Sequence, residues 1–565
     1  MEAQTKNCQN CNNPFTIEPD DFAFYEKIKV PAPTWCPDCR KQRRLTWRTE
    51  FTFYNRACDM CKRAIISMYP EDSELTVYCN KCWWSDAWDP KSYSKDIDWK
   101  KPFFEQFQEL RKAVPVLGLI NDNNTGSVNC EYTQNFVLSK DCYMCMVAWH
   151  WEDCLYSCYG ADARSCVDSM GLFGTCENCY ESIFIEKCYN CKFVYQSTSL
   201  TDCSFCFDCR NCDNCFMCFG LRNKKFYFQN KEYSAEEYNK IVSSYALDTY
   251  SGQQKAYMEF LAFKKNMPHP YAFLKNCTDC TGNYLFNSKN SHDSYNARNL
   301  EDCHYIDTAD TLKECHDLSV GGEAELCYEG ITPDNCRQTA FTNYTWKSID
   351  SYYCDFCQAS KDCFGCVALK KGEYSILNKQ YSKEEYVALK QKLIDHMKQT
   401  GEWGEFFRPQ DSMFGYNETV ANIHFPLSRE QALEKGYKWQ DHMQMTTGKE
   451  TITPEDIPNA IDDVIDSITS ETLLCTECHR NYRIVENELL FYRKMKIPVP
   501  RRCFFCRISD RFTFRNASKL WHRSCMCTQE NHTHTGKCPN EFETSYNPDQ
   551  PEIIYCEPCY QQEIV

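Results

Sequence analysis

Paired cysteines carry most of the chemistry legible in this chain. Near one end Cys8-x2-Cys11 is followed by Cys36-x2-Cys39, and near the other Cys475-x2-Cys478 is followed by Cys503-x2-Cys506. Adding 467 to each residue number of the first set gives the second, and the same holds for Phe15/Tyr482, Ile17/Ile484, Pro31/Pro498, Pro33/Pro500 and Arg40/Arg507. A register kept over so many positions marks one module used twice. Two Cys-x2-Cys knuckles joined by a short spacer supply four thiolates, the donor set of a closed tetrahedral zinc. A second pair of pairs follows the first, Cys58-x2-Cys61 and Cys79-x2-Cys82. Its C-terminal echo is looser: Cys525-x-Cys527, a lone Cys538, and Cys556-x2-Cys559. There Cys525 or Cys527 would join Cys556 and Cys559, with Cys538, His532 or His534 completing the shell. About four zinc ions are the natural maximum, and closed four-thiolate sites act as fold staples because a catalytic zinc keeps one position open for water.

Around the cysteines the modules are basic and aromatic. Arg40, Arg43, Arg44, Trp47 and Arg48 follow the first, and Arg507, Arg511 and Arg515 follow its copy. Guanidinium groups interleaved with rings grip phosphates and stack on unpaired bases, so this face is expected to bind RNA, DNA or a ribonucleoprotein. The competing expectation is that the same arginines neutralise an acidic middle region. A net charge of −16 confines any nucleic-acid contact to such local patches.

A length of 565 residues implies several domains. The chain has 43 cysteines but opens on polar residues without an apolar leader, and it has no run of about eighteen apolar residues. The expectation is a cytoplasmic protein, off the membrane, whose thiols stay reduced or hold metal. Export without a leader, with the middle cysteines in disulfides, is the alternative.

The elements that must position these groups are repetitive. Cysteines recur at a twelve-residue step at Cys142, Cys154 and Cys166, then at Cys176 and Cys188, and again at Cys303, Cys315 and Cys327. An acidic or small residue usually precedes them, as at Asp141, Asp153, Asp302 and Glu314. The pattern predicts a β-solenoid with two twelve-residue half-coils per rung and cysteine in a crowded inward column. The dense run Cys203, Cys206, Cys209, Cys212, Cys215 and Cys218 reads as a packing ladder, with extra metal or disulfides as alternatives. The two runs are duplicates at an offset of 148, ending in Asn230-Lys231 and Asn378-Lys379. Ser234 with Glu237 and Ser382 with Glu385 then form capping boxes that start helices over 235–265 and 383–400, covering the open strand edge. Trp99, Phe103, Phe104, Phe107 and Leu110 predict a connecting helix within 96–117.

The expected layout is mainly β and multidomain. Paired zinc ribbons fill 1–97 and a helical connector 98–129; solenoid repeats over 130–230 and 271–379 carry helical caps over 231–270 and 380–408. An acidic linker over 409–471, with one short helix around 428–435, leads to paired ribbons over 472–565.

The residues Cys-x2-Cys-x3-(Phe/Tyr)-x-Ile, a later Phe-Tyr, Pro-x-Pro and a closing Cys-x2-Cys-Arg make both terminal modules resemble the treble-clef zinc-ribbon family. Landmarks over nearly the whole chain resemble uncharacterised cysteine-rich proteins of small-genome candidate-phylum bacteria: Cys36-Pro-Asp-Cys-Arg40, Cys82-Trp-Trp-Ser85, Phe103-Phe-Glu-Gln-Phe107, Trp521-His522-Arg523 and Cys538-Pro-Asn-Glu-Phe542. The resemblance implies zinc and a cytoplasmic setting and supplies no activity.

No catalytic residue is expected, because the chain lacks a nucleophile elbow, a phosphate-cradling glycine loop and a zinc-protease helix. Glu152, Asp153 and Asp162 beside Trp151 come nearest to a carbohydrate-active solenoid site, but acids here mostly precede cysteines as turn formers. The expected function is a non-enzymatic, multi-zinc architectural protein that binds nucleic acid through its ribbons. The alternatives are a protein–protein scaffold using the solenoid face and a thiol-based metal store or redox buffer.

Overall fold

The computed structural model describes residues 2–121 and 126–564, so part of the expected connector, 122–125, and the two terminal residues lie outside the described residues. The chain is mainly β, and two stacks of short parallel strands form its centre. In the first stack Met146 pairs with Cys158 and Cys158 with Met170, each strand adding to the one twelve residues earlier. One irregular step occurs where Met170 meets Ile183. In the second stack Tyr295, Asp307, Ser319 and Ile331 follow the same step. Every such pairing joins residues about one step apart, so twelve residues make a complete rung. The expected pair of twelve-residue half-coils is corrected accordingly.

The rung has four short sides. Positive φ recurs every third residue, at Asp141 (53°), Met144 (51°), Val147 (55°), His150 (56°) and Asp153 (53°). The residue after each corner points inward: Cys142, Cys145, Ala148 and Trp151 in one rung, Cys203, Cys206, Cys209 and Cys212 in another, all buried. The dense every-third-residue cysteine run is therefore the inner lining of successive sides. The acidic or small residue before each cysteine occupies the left-handed corner, a conformation that Asn, Asp and Gly adopt at least cost.

Cysteine suits these buried inward positions because its side chain is small and its thiol can reach backbone carbonyls. Cys203 Sγ donates to Thr201 O at 3.2 Å and sits 3.5 Å from Cys212 O. Ser157, Ser169, Ser182 and Ser197 make the same two-residue back-bond. Cys145, Cys206 and Cys218 share the inward column of Ser157, Ser169 and Ser182, so thiol and hydroxyl interchange along it.

Each stack closes in the same way. The Asn230 side chain accepts from Phe219 N (2.9 Å) and donates to Phe219 O (2.7 Å), imitating one more strand. Asn378 does this for Val367, at 2.8 and 2.9 Å. Both capping boxes are present, starting helices Ala235–Ser244 and Lys383–Thr400; the first cap is broken before Tyr250–Lys265 resumes it. The connector helix is Phe103–Ala113, with Phe103, Phe104, Phe107 and Leu110 buried.

The acidic stretch 409–471 is a packed strap instead of a loose tether. Phe414, Tyr416, Val420 and Ala421 are buried in its first half and Ile457, Ile461, Val464 and Ile468 in its second. Val420 N donates to Arg48 O, and Arg501 of the last modules donates to Ile457 O at 2.7 Å. Its apolar anchors are too widely spaced in polar text to produce a period, although the short helix Arg429–Glu434 with its Ser428 cap falls where expected.

Candidate metal centres and the arginine interlock

Each terminal module joins a hairpin knuckle to a helix start. Asn12, Lys62 and His479, one residue after their Cys-x2-Cys pairs, take positive φ and turn the knuckle. The second pair opens a helix: Cys36 and Cys39 at Pro37–Leu45, Cys79 and Cys82 at Asn80–Trp83, Cys503 and Cys506 at Phe504–Thr513, Cys556 and Cys559 at Glu557–Glu563. Helix N-termini favour anionic sulfur. The backbone reinforces this at all four centres: Cys36 N donates to Cys8 Sγ (3.2 Å), Cys79 N to Cys58 Sγ (3.2 Å), Cys503 N to Cys475 Sγ (3.3 Å) and Cys556 N to Cys525 Sγ (3.3 Å).

Four groups of four sulfurs result, Cys8/Cys11/Cys36/Cys39, Cys58/Cys61/Cys79/Cys82, Cys475/Cys478/Cys503/Cys506 and Cys525/Cys538/Cys556/Cys559, with the donor atoms of each within 4.8 Å of one another. Sulfurs sharing a tetrahedral metal at 2.3 Å bonds lie about 3.8 Å apart. Cys11–Cys36 (3.7 Å), Cys475–Cys506 (3.8 Å) and Cys538–Cys556 (3.8 Å) meet that spacing, so these donor sets fit a four-coordinate metal. The Cys36–Cys39 hydrogen bond lowers the Cys36 thiol to about 5 and pushes the Cys39 thiol up, so within this pair one thiolate forms beside a neutral partner. Of the two residues the sequence left open in the last site, Cys525 joins this group. Cys527 turns to His532 and His534 instead.

The arginines expected to face nucleic acid are placed otherwise. Arg40, Arg43, Arg44, Trp47, Arg48, Arg507 and Arg511 are buried, and Arg515 is half-buried. The first module's helix lies on the second stack, and the third module's helix lies on the first. Arg40 Nη2 is 2.8 Å from Asp317 Oδ2, and Arg44 Nη1 is 3.0 Å from Asp317 Oδ1 and 3.5 Å from Glu329 Oε2. In the other half Arg507 Nε is 3.0 Å and Arg511 Nη1 3.1 Å from Asp168 Oδ1, and Arg511 reaches Glu181 at 3.3 Å. Burial opposes the charge on Arg40, but Asp317 beside it holds the guanidinium protonated well above its ordinary value. Arg43 pairs with Glu329 and Glu405, and Trp47 stacks under Arg111 at 4.4 Å. Arg40, Arg43, Arg44, Arg507 and Arg511 thus each pair with a carboxylate of a stack.

The likeness of the two halves extends beyond the arginines. Asp21 accepts from Tyr305 OH (3.0 Å), and its counterpart Glu488 accepts from Tyr156 OH (2.8 Å). Trp83, after the last cysteine of the second module, carries Lys370 over its ring at 4.5 Å. Tyr560, after Cys559, donates to Asp208 (2.6 Å), which also pairs with Arg222 (2.9 Å), the repeat partner of Lys370. Arg48 crosses between the stacks: it pairs with Glu50, which accepts from Tyr159 of the first, and it donates to Thr332 of the second. Arg515 sits over Tyr159 and Phe184 at 5.6 and 5.5 Å. The 467-residue repeat supplied the signal for the modules and the 148-residue repeat the signal for the stacks; that one grips the other crosswise lay in neither.

Trp151, one of the residues of the notional carbohydrate site, fills an inward position of the first stack and is buried. Among the described residues, no helix is long and apolar enough to cross a membrane.

No family model and no curated protein matches the chain. Among solved structures, one described as a "putative acetyltransferase from Desulfovibrio desulfuricans G20" is similar at 7% identity over 49% of this chain and 81% of that one, with a TM-score of 0.12.

Proposed function

We propose that the protein is a non-enzymatic, zinc-stapled scaffold. In this reading the two coiled stacks are β-solenoids, the terminal modules are treble-clef zinc ribbons, and the ribbon arginines are the clamp that holds each solenoid in place. Binding then belongs to the solenoid surface. The observation that carries it is a cavity of about 490 Å³ between the stacks, walled by Trp149 and Asp162 on one side and Asp310, Glu323 and Asp334 on the other, with Arg515 and the Asp310-paired Arg298 also in its lining. Trp149 is 37% exposed, and desolvation, with the charge of Glu323 adding to it, pushes the Asp334 carboxyl up to about 6. An exposed indole beside crowded carboxylates suits a basic, apolar segment of a protein partner. Cross-linking of the native complex followed by mass spectrometry tests this: partner peptides should map to the cleft, and Asp310→Lys with Trp149→Ala should release them. Cross-links confined to other faces would refute it.

A second reading is favoured by a different cavity, of about 710 Å³, lined among others by Phe51, Phe53, Tyr132, Phe505, Arg480 and Arg483. Half-buried rings with two arginines outside the interlock could stack and hold single-stranded nucleic acid. Salt-sensitive RNA affinity abolished by Arg480→Glu with Arg483→Glu would establish it over the scaffold.

A further inference from the structure

We propose a fifth metal position in the last module, made by Cys527, His532 and His534 and sharing Cys559 with the four-sulfur site beside it, so that one thiolate bridges two zinc ions. The donor atoms of Cys527, His532, His534 and Cys559 lie within 4.8 Å of one another, as do those of Cys525, Cys538, Cys556 and Cys559. Cys559 alone belongs to both sets. Cys527 Sγ is 3.1 Å from His532 Nδ1 and 3.3 Å from His534 Nε2. A sulfur and a nitrogen on one tetrahedral zinc stand about 3.6 Å apart, so a small outward shift accommodates the ion.

The outer nitrogens support this independently. A ligating histidine commonly turns its second ring nitrogen to an oxygen, which fixes the ring. His534 Nδ1 lies 2.8 Å from Gly536 O, and His532 Nε2 lies 3.1 Å from Glu563 Oε1, with the His532 side chain only 1% exposed. Both rings therefore turn one nitrogen to Cys527, and the other lies within reach of an oxygen. Comparison with the second module shows what was added. There the first knuckle, Cys58-x2-Cys61, is short and its group has four sulfurs; here the longer segment from Cys525 to Cys538 brings in Cys527, His532 and His534. The result is two closed four-coordinate positions, S4 and S2N2, with no place for a substrate water. The pair is a staple of higher charge density, suited to fastening the strand Ile553–Tyr555 and helix Glu557–Glu563 to the body through the parallel pairing of Pro268–Pro270.

Native mass spectrometry of the full chain purified with zinc should give five ions per chain, and four after His532→Asn with His534→Asn, which leaves the S4 donors intact. Cys527→Ser gives an independent version of the same loss. In the 113Cd-substituted protein two of five resonances should show mutual cadmium–cadmium coupling through the bridging sulfur. A wild-type count of four, a double variant that keeps as many ions as the wild type, or five uncoupled resonances would overturn the proposal.

Discussion

Arg40 of the first module reaches Asp317 of the second stack at 2.8 Å, across almost half the chain, and both side chains are buried. The equivalent pair, Arg507 and Asp168, joins the third module to the first stack at 3.0 Å. The chain is thus two similar halves in which each end holds the other half's stack. Removing one partner of a buried pair leaves an uncompensated charge and costs about 3–5 kcal/mol. Asp317→Ala, which leaves Arg40 and Arg44 only the more distant Glu329 at 3.9 and 3.5 Å, should lower stability by about that much, whereas Asp317→Leu with Arg40→Met should recover a good part. Urea midpoints of the three proteins check this; an Asp317→Ala variant as stable as wild type would remove the interlock from the stability account.

Metal removal should separate modules from stacks. The stacks are lined by thiols and hydroxyls bonded to backbone carbonyls, whereas the modules converge their sulfurs on a common centre. Chelation should therefore abolish amide protection around Cys8–Cys39 and Cys475–Cys506 while strands such as Tyr189–Tyr195 stay protected. Hydrogen exchange with and without chelator measures it. Uniform loss of protection would mean that the stacks cannot stand without their clamps.

Glu488 gives the interlock a pH dependence. Burial pushes its carboxyl up to about 7, against the pull of Arg507. A carboxyl whose folded pKa exceeds its unfolded value of about 4.3 holds more protons folded than unfolded between the two, so its contribution to stability falls as pH rises through that window. The stability of wild type relative to Glu488→Gln should therefore decline between about pH 5 and about pH 8. Denaturant midpoints of both proteins, compared across that range at constant metal, test it; a difference that does not change with pH would refute the assignment.

The inward ladder should accept small polar substitutes and reject bulk. Cys203→Ser places a hydroxyl where its counterpart in the second stack, Ser351, already back-bonds to Ile349 O at 2.9 Å, and should cost under about 1.5 kcal/mol. Cys203→Leu overfills the inward position and should cost about 1–3 kcal/mol. Thermal denaturation ranks them, and the reverse order would argue that the thiol has a task other than filling.

Much of this was legible in one dimension because the operative signals are local. A knuckle needs two cysteines three apart, a left-handed corner wants Asp, Asn or Gly, and a capping box spans Ser234 to Glu237. Even the strand step was written in the residues: the three-residue spacing of Cys203 to Cys218 is the interval between successive inward positions, and four such intervals make the twelve-residue pairing step. The strap over 409–471 was opaque because its anchors, Tyr416 and Ile461 among them, obey the surfaces they meet and no periodicity of their own.

The order of residues alone set out the modules: four cysteine clusters, two repeats of stacked strands and the Ser–Glu starts of their helical caps. It did so because each of these is satisfied by neighbours within a few dozen residues. Only the tertiary structure decided what the arginines are for. A guanidinium beside a cysteine module is equally suited to a phosphate or to a carboxylate. Asp317 and Asp168 take that role because the chain folds its ends crosswise over its middle, bringing together charges hundreds of residues apart.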